Sequence, residues 1–561
     1  MHAGPELPLK DRRRMRAWVA GFLPSRAPAF LAVLALSVLA AGLGLVQPLL
    51  TRALIDDALP SGQLAPVVRI CGLIFALSAF SSGLSYVTRL FYVRVSGGLL
   101  FDLREALFAH LMSLSPRWFA HAREGDIFSR LDGDISEVQR FVFDGALAFV
   151  TALITLVGAT IGMASLNAPL TALCFLGLPL QIILLARFRP RIEHQARLLR
   201  ARAADLSAFF FETLPTVRHI QACSAEPVES ARLKRLNGAY LDELIRQEKL
   251  NFFAGAAPSL VMSAMTALIF VFGAAAVLGQ AMTIGAMVAF SSYLGRASGP
   301  LQSLLGLWVG AKRTTASLDR LGDLLHVQPE VREAQHPRSL PPAPRGKIVA
   351  RDLGLCHGAR RIFSGLSFTL GPGERVAVTG PSGAGKSSLC DLLMRFYDPD
   401  EGGLTLDGVA MTELALDDLR QAVVMVSQDI ALLPGSLFEN VAYGLHGLPR
   451  AAAERALAAA GLGDFVASLP QGMDTPVGGR GRALSGGQRQ RLAIARALAT
   501  NPRVLILDEV TTGLESELSD RIFDTIDLLF PTTTLLIVSH DPRVVQRCSR
   551  VIALEAEEAR P

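Results

Sequence analysis

From Leu250 to Gly295 the chain runs 46 residues without a charged side chain, and from Gly145 to Ala186 it does so for 42. Stretches like these do not stay in water. A bilayer core takes about 20 apolar residues per helical crossing, so each run holds two crossings. Turn residues interrupt each run near its middle, Leu166-Asn167-Ala168-Pro169 in one and Gly279-Gln280-Ala281-Met282-Thr283 in the other. Ala27 to Thr51 and Ile70 to Thr88 are two shorter uncharged runs. The arithmetic gives six spans, at about 27–51, 66–90, 145–165, 169–188, 256–278 and 284–308. The first is too long for the apolar core of a cleaved signal peptide. A hydrophobic fraction of 50% against 19% charged residues agrees with this and excludes disorder. Six scattered Cys without a CxxC pair exclude a disulfide or metal framework, and they read as small buried hydrophobes in a reducing compartment.

Lys and Arg decide the orientation. Residues 1–26 form a basic segment with Lys10, Arg12, Arg13, Arg14, Arg16 and Arg26, while the turn after the first span carries Asp56 and Asp57. The positive-inside rule then places the N-terminus in the cytoplasm of a cell whose inner (cytoplasmic) membrane holds the spans. Arg52, near the outer end of span one, is an exception. The net charge of +5 is therefore assigned to topology beside membrane lipid, and no nucleic-acid partner is expected. Phe91 to Phe143 and Arg187 to Lys249 are Arg-rich with helical periodicity and read as helical extensions into the cytoplasm. With an even number of spans, whatever follows Lys312 is cytoplasmic too. Residues 323–345 form a linker containing His336-Pro-Arg-Ser-Leu-Pro-Pro-Ala-Pro-Arg345, which cannot continue a helix. Residues 346–561 have ordinary soluble composition, with short β-branched runs between helical stretches. The expected fold class is a membrane α-helical domain of six transmembrane helices (27–322) followed by a cytoplasmic α/β domain, which the run Gly380-Pro-Ser-Gly-Ala-Gly-Lys-Ser387 makes a P-loop ATPase domain.

Gly380-Pro381-Ser382-Gly383-Ala384-Gly385-Lys386-Ser387 follows the strand-like Arg375 to Thr379 and opens a helical run from Ser388 to Phe396. This is the phosphate-loop pattern in the context it requires. Glycines let successive N–H groups point inward, and the following helix adds its positive end, so phosphate oxygens meet many donors. Lys386 reaches the β and γ phosphates, and Ser387 ligates Mg²⁺. Val504 to Leu507 is a buried strand delivering Asp508 and Glu509 to the edge of the sheet where ligands of open α/β folds bind. Asp508 suits the Mg²⁺ shell and Glu509 the attacking water. Leu484-Ser485-Gly486-Gly487-Gln488, before the helical Arg489 to Ala499, is a second anion site without a lysine.

With these motifs the chain resembles an exporter-type half-transporter of the ATP-binding cassette (ABC) family, whose signature is Leu484 to Gln488. The resemblance implies that Gln428 occupies the Q-loop and reaches the metal, that His540 is the switch histidine on the γ-phosphate, and that Thr512 to Glu515 form the D-loop. Gly125-Asp126, Ser129-Arg130-Leu131 and Glu212 to Glu226 resemble intracellular segments that touch the cassettes. It also implies catalytic roles for Glu509, His540 and Lys386, a nucleotide site of residues 380–388 with Gln428 and His357, and metal contacts from Ser387, Gln428 and Asp508. The cofactors are then ATP and Mg²⁺. Two copies dock head to tail as a homodimer, with a heterodimer as the alternative, each signature closing the other copy's site, and ATP hydrolysis drives export of an amphipathic peptide, lipid or drug-like molecule by alternating access. ATP-driven uptake on the same fold and a non-transporting regulatory module are the alternatives. Three positions depart from the family pattern. His357 stands where a Tyr usually stacks on adenine, Gly479 where a Glu is usual, and Glu515 where an Asp is usual. Gln47, Ser78, Ser81, Ser82, Tyr86, Thr155, Ser259, Ser263, Ser291, Tyr293 and Arg296 are candidates to line the pathway.

Overall fold

The computed structural model describes residues 9–358, 360–478, 484–510 and 516–555. They divide into two compact units, Met1–Leu111 with Glu124–His326, and Met112–Arg123 with Val327–Pro561. The first unit is helical: α1 (Leu9–Gly21), α2 (Ala27–Ala53) and α3 (Leu64–Met112), then, beyond α4 (Pro116–His121) of the second unit, α5 (Glu124–Ser129), α6 (Ile135–Arg140), α7 (Ala146–Leu166), α8 (Ala168–Thr213), α9 (Val217–Ala222), α10 (Glu226–Leu278) and α11 (Ile284–Leu325). Five helical stretches among the described residues are long and apolar enough to cross a membrane, Ala27–Ala58, Leu64–Met112, Glu124–Leu166, Ala168–Ala222 and Glu226–Leu278. The sixth expected crossing lies in α11, whose apolar surface is diluted by Ser291, Ser292, Arg296, Ser298 and Gln302. At 1.5 Å per residue a 53-residue helix such as α10 is roughly 80 Å long, far beyond a bilayer core of about 30 Å.

The turns sit where turn chemistry put them. Asn167 leaves helical geometry at φ −162° and its side chain accepts from the Leu170 N–H, capping α8, while Thr283 does the same for Ala286 at the start of α11. Within the unit α8 runs along α10, and α7 packs against α11 and α2 around Ala159, Met163, Phe290 and Tyr293. Phe75, Phe80, Val271 and Leu278 stay exposed, as suits helices whose solvent is lipid. The apolar stretch of α3 buries none of its residues, whereas farther along the same helix Leu99, Leu103 and Leu107 are fully packed. All six Cys are free thiols, but only Cys174 and Cys390 are buried. Cys71 and Cys223 are exposed, which corrects the expectation of six buried hydrophobes. Cys71 lies on that unburied stretch of α3, where lipid substitutes for a protein core.

The second unit orders β1 (Ile348–His357), β2 (Arg360–Leu370), β3 (Arg375–Thr379), α12 (Lys386–Leu393), β4 (Glu401–Leu406), β5 (Val409–Ala410), α13 (Leu416–Ala422), β6 (Val423–Val426), α14 (Leu437–Val441), α15 (Arg450–Ala459), α16 (Gly463–Ser468), α17 (Gly486–Ala499), β7 (Val504–Asp508), α18 (Ser516–Leu529), β8 (Thr534–Val538), α19 (Pro542–Gln546) and β9 (Arg550–Ala553). Five strands form a parallel sheet in the order β6-β7-β8-β3-β9, and β2-β1-β4-β5 form an antiparallel one. β7 and β8 are buried at every position, the signature of central parallel strands covered on both faces.

Three π-helical turns, Leu54–Ala58, Arg130–Asp134 and Phe141–Gly145, interrupt the membrane unit. Each presents an aspartate to another helix, and the second presents two, since Asp132 also accepts from Arg104 of α3 at 2.7 Å. Asp144 accepts from the Tyr92 hydroxyl of α3. Asp134, buried, accepts from Ser317 at 2.9 Å and from Arg320 Nε at 2.8 Å, both on α11. Asp56 accepts from the Thr283 hydroxyl at 2.5 Å and from the Gly285 N–H at 2.8 Å. A wider turn rotates a side chain out of the i, i+4 row, which is how one carboxylate reaches across. Asp56 also holds Arg52 at 3.4 Å, so the cation that departed from the topology rule has a local counter-ion. Asp56 thus serves as a second cap of α11. Replacing a capping side chain by Ala costs about 1–2 kcal/mol, so Asp56→Ala should lower the melting temperature of the purified protein, with Asp56→Asn losing less. Equal melting temperatures for Asp56→Ala and wild type would remove this capping role.

Candidate nucleotide site

In a parallel sheet all strands end at one edge, and here four of them end in polar groups. β3 runs into the phosphate loop, β6 into Ser427-Gln428, β7 into Asp508-Glu509 and β8 into Ser539-His540. After β7 the backbone turns sharply, with Glu509 in the left-handed region at φ 54° while its N–H still bonds Val538 O at 3.0 Å. That turn aims the Glu509 carboxylate along the edge. Gln428 Nε2 donates to its Oε2 at 3.2 Å, and His540 Nε2 stands 3.6 Å from its Oε1.

The phosphate loop curls around its own lysine. Lys386 is buried, and its Nζ donates to Gly380 O at 2.8 Å and Pro381 O at 3.1 Å. Gly385 has φ 90°, and a Cβ there would lie 2.4 Å from Ile362 Cγ2 and 3.1 Å from the Phe363 ring, so strand β2 presses directly on the loop. Ser382 and Gly383 are exposed at the rim, Ala384 is buried beneath them, and α12 begins at Lys386, two residues earlier than the sequence indicated. The Ser387 hydroxyl donates to Asp508. Burial pushes the Asp508 carboxyl above its ordinary value, with the Glu509 charge adding to that while Ser387 and Lys386 oppose it. A buried carboxylate beside a hydroxyl offers the hard oxygen donors that suit Mg²⁺. Among the described residues no group of three or more His, Cys, Asp or Glu could hold a metal ion, so such an ion would draw its remaining ligands from phosphate oxygens and water. The Gln428 amide, expected to reach the metal, bonds Glu509 through its nitrogen, and a metal contact would use its oxygen.

The signature is a capping box. Ser485 Oγ accepts from the Gln488 N–H at 3.2 Å and Gln488 Oε1 accepts from the Ser485 N–H at 2.8 Å, leaving the first-turn amides at Gly486 and Gly487 without intrahelical acceptors. Leu484 packs in the cluster around α15 and α17, whereas Leu389, Cys390 and Leu392 of α12 pack in the cluster around β1 and β3. The two anion sites of one chain therefore rest on separate cores. Gly479 and the D-loop, Thr512 to Glu515, lie outside the described residues.

Four groups at this site carried no sequence signal. Tyr397 donates to Ser388 O at 3.1 Å and to Asp391 Oδ2 at 3.5 Å. Arg117, 240 residues from His357, places Nη2 2.7 Å from His357 Nε2 and its guanidinium carbon 3.3 Å from the centre of the Tyr397 ring. Arg360 pairs with His357 across β1 and β2. In the membrane unit, Ser259 and Ser263 line a groove with Pro258, Met262, Thr266, Ser298 and Gln302. Arg296 Nη2 donates to Gln47 Oε1 at 2.6 Å, while Tyr293 is buried and bonds Leu45 O at 2.7 Å.

Comparison with known proteins follows this division. Residues 30–301 match the family pattern of the ABC transporter transmembrane region and residues 363–512 that of the ABC transporter itself. The ATP-dependent lipid A-core flippase of Pseudomonas syringae pv. syringae is 30% identical over 518 residues, 91% of this chain and 85% of the relative. An uncharacterized ABC transporter ATP-binding protein of Bacillus subtilis is 28% identical, covering 92% of this chain and 90% of its own. Among solved structures, a bacterial Atm1-family ABC exporter with ATP bound superposes at a TM-score of 0.79, with 26% identity over 96% of this chain and 95% of that one.

Burial pushes the Asp391 carboxyl from 3.8 to about 6, with Arg117 opposing the shift, Asp508 adding to it and the Tyr397 hydrogen bond opposing it. Unfolded, the group releases its proton at the lower value, so the native state binds more protons between those pH values and loses stability as pH rises through them. With its partial exposure screening the effect, the loss is about 1 kcal/mol. Asp391→Asn should be more heat-stable than wild type above pH 7 and should lack the wild-type decline between about pH 4 and 6. Parallel melting curves across that range would contradict the assignment.

Proposed function

The chain belongs to the ABC transporter family, with a transmembrane region and an ATPase domain in one polypeptide, and from that premise we propose that two copies close head to tail around ATP in the inner (cytoplasmic) membrane, with the N-terminus and the ATPase domain in the cytoplasm. It is a multi-pass membrane protein in which ATP hydrolysis drives export of an amphipathic substrate. The arrangement around Glu509 carries the catalytic reading. Its carboxylate stands at the sheet edge beside the phosphate loop, with Gln428 on one oxygen and His540 facing the other.

In this reading the loop amides of residues 380–388 cradle the phosphates, and Lys386 leaves its own carbonyls to meet them. Asp508 and Ser387 hold Mg²⁺, which neutralises phosphate charge when bound. Glu509 takes the proton of the attacking water, His540 bonds the γ-phosphate, and Gln428 links this centre to the membrane half. His357 faces the adenine. The homodimer is supported by three observations. The signature is complete, the phosphate loop and the signature sit on separate cores of one chain, and the apolar stretch of α3 buries nothing within its own chain. An amphipathic, lipid-like cargo is supported by the flippase names of relatives and by the groove between α10 and α11, which mixes hydroxyls and an amide with apolar walls.

The test separates binding from turnover. A charge-assisted contact to phosphate contributes about 1.5–3 kcal/mol, so Lys386→Ala should weaken ATP binding by roughly tenfold to a hundredfold. Glu509→Gln should bind ATP normally and lose about 10²–10⁴-fold in turnover. In inside-out vesicles ATP should drive uptake of a fluorescent lipid probe into the lumen. Near wild-type hydrolysis by Glu509→Gln would sink the assigned role.

A further inference from the structure

His357 occupies the base-facing position without the broad ring expected there, and the structure shows what holds it. It ends β1 and pairs with Arg360 of β2, the strand whose Ile362 and Phe363 press on Gly385 of the phosphate loop. Asp400 accepts the Cys356 N–H at 2.7 Å, which pins the backbone beside His357 but not its partly exposed imidazole. The imidazole is held from α4. Arg117 stacks its guanidinium on Tyr397 at 3.3 Å and directs Nη2 to His357 Nε2 at 2.7 Å. The Tyr397 and His357 rings meet edge to face, 6.4 Å apart at 81°. Tyr397 is itself anchored on Ser388 O, one residue past the end of the phosphate loop.

We propose that Arg117 is the positioning residue for the nucleotide base, acting through His357. An arginine can only donate, so the 2.7 Å contact requires Nε2 to be the acceptor and leaves the proton on Nδ1. One bond thereby selects the tautomer and fixes the ring plane. Partial burial first, and the Arg117 charge second, push the imidazolium of His357 down against the opposing charge of Asp400, which favours that acceptor. An imidazole offers less stacking surface than a phenol, so a base platform built on it depends more on being held still before the ligand arrives. Arg117 belongs to residues 112–123, which lie between the second and third apolar runs of the sequence yet group with the ATPase unit. Base binding and the placement of that segment are then parts of one contact.

The assignment rests on ATP occupying the phosphate loop, and the test keeps the two apart. ATPase KM and kcat are measured on the full chain in lipid nanodiscs for wild type, Arg117→Ala, Arg117→Lys, His357→Ala, His357→Phe and the double variants. Arg117→Ala should raise the KM for ATP about three- to tenfold and change kcat less, since it removes ground-state positioning. The effect should vanish in the His357→Ala background, because groups acting as a unit are not additive. It should vanish also with His357→Phe, whose ring cannot accept the bond. Arg117→Lys, which can donate but cannot stack flat on Tyr397, should recover part of the loss. Multiplying effects in the double variant, or a fall in kcat at constant KM, would overturn the assignment and leave the ATP reading standing. Unimpaired ATP binding by Lys386→Ala would overturn both.

Discussion

Four parallel strands ending at one edge are the constraint on which the nucleotide site depends. Parallel register brings the ends of β6, β7, β8 and β3 level, so Gln428, Glu509, His540 and the phosphate loop converge although 160 residues separate the first from the last. The sheet's dry interior makes that edge rigid, since β7 and β8 are buried throughout. Glu509 tolerates a left-handed backbone because its N–H stays in the ladder with Val538. Strain at a position over-determined by its neighbours is a feature of reacting groups.

A different constraint governs the membrane unit. Lipid offers no hydrogen bonds, so each backbone group in a span is satisfied within its own helix and polar side chains must find partners nearby. The π-helical turns meet both requirements. They keep the helix continuous while turning Asp56, Asp134 and Asp144 towards α11 and α3. Arg296 follows the same rule through Gln47. The ties to α11 fall near both of its ends, Asp56 at the first turn and Asp134 at Ser317 and Arg320.

The contact of Arg117 with His357 and Tyr397 is of a third kind, since neither sheet register nor lipid imposes it. It joins a six-residue helix to a hairpin end and to the residue that anchors on α12. The same guanidinium opposes the upward shift of the Asp391 carboxyl and favours a neutral His357. Burial is the larger cause at both groups, and this one cation acts second on each.

Wherever chemistry is carried by neighbours in sequence, the sequence alone determined it. The uncharged runs dictated membrane helices because no other structure hides that much apolar chain, and Asn167 and Thr283 fell where helices had to begin anew. The phosphate loop, the acids after β7 and the signature were legible because each depends on one turn or one strand end. What only the tertiary structure decided is who meets whom across distance. Gln428 gave its amide nitrogen to Glu509, Asp56 became a cap for a helix 227 residues away, and Arg117 found a histidine 240 residues on. These contacts depend on packing geometry summed over many residues, and a lone arginine or aspartate in a helical stretch looks the same in sequence whether it faces water or another helix.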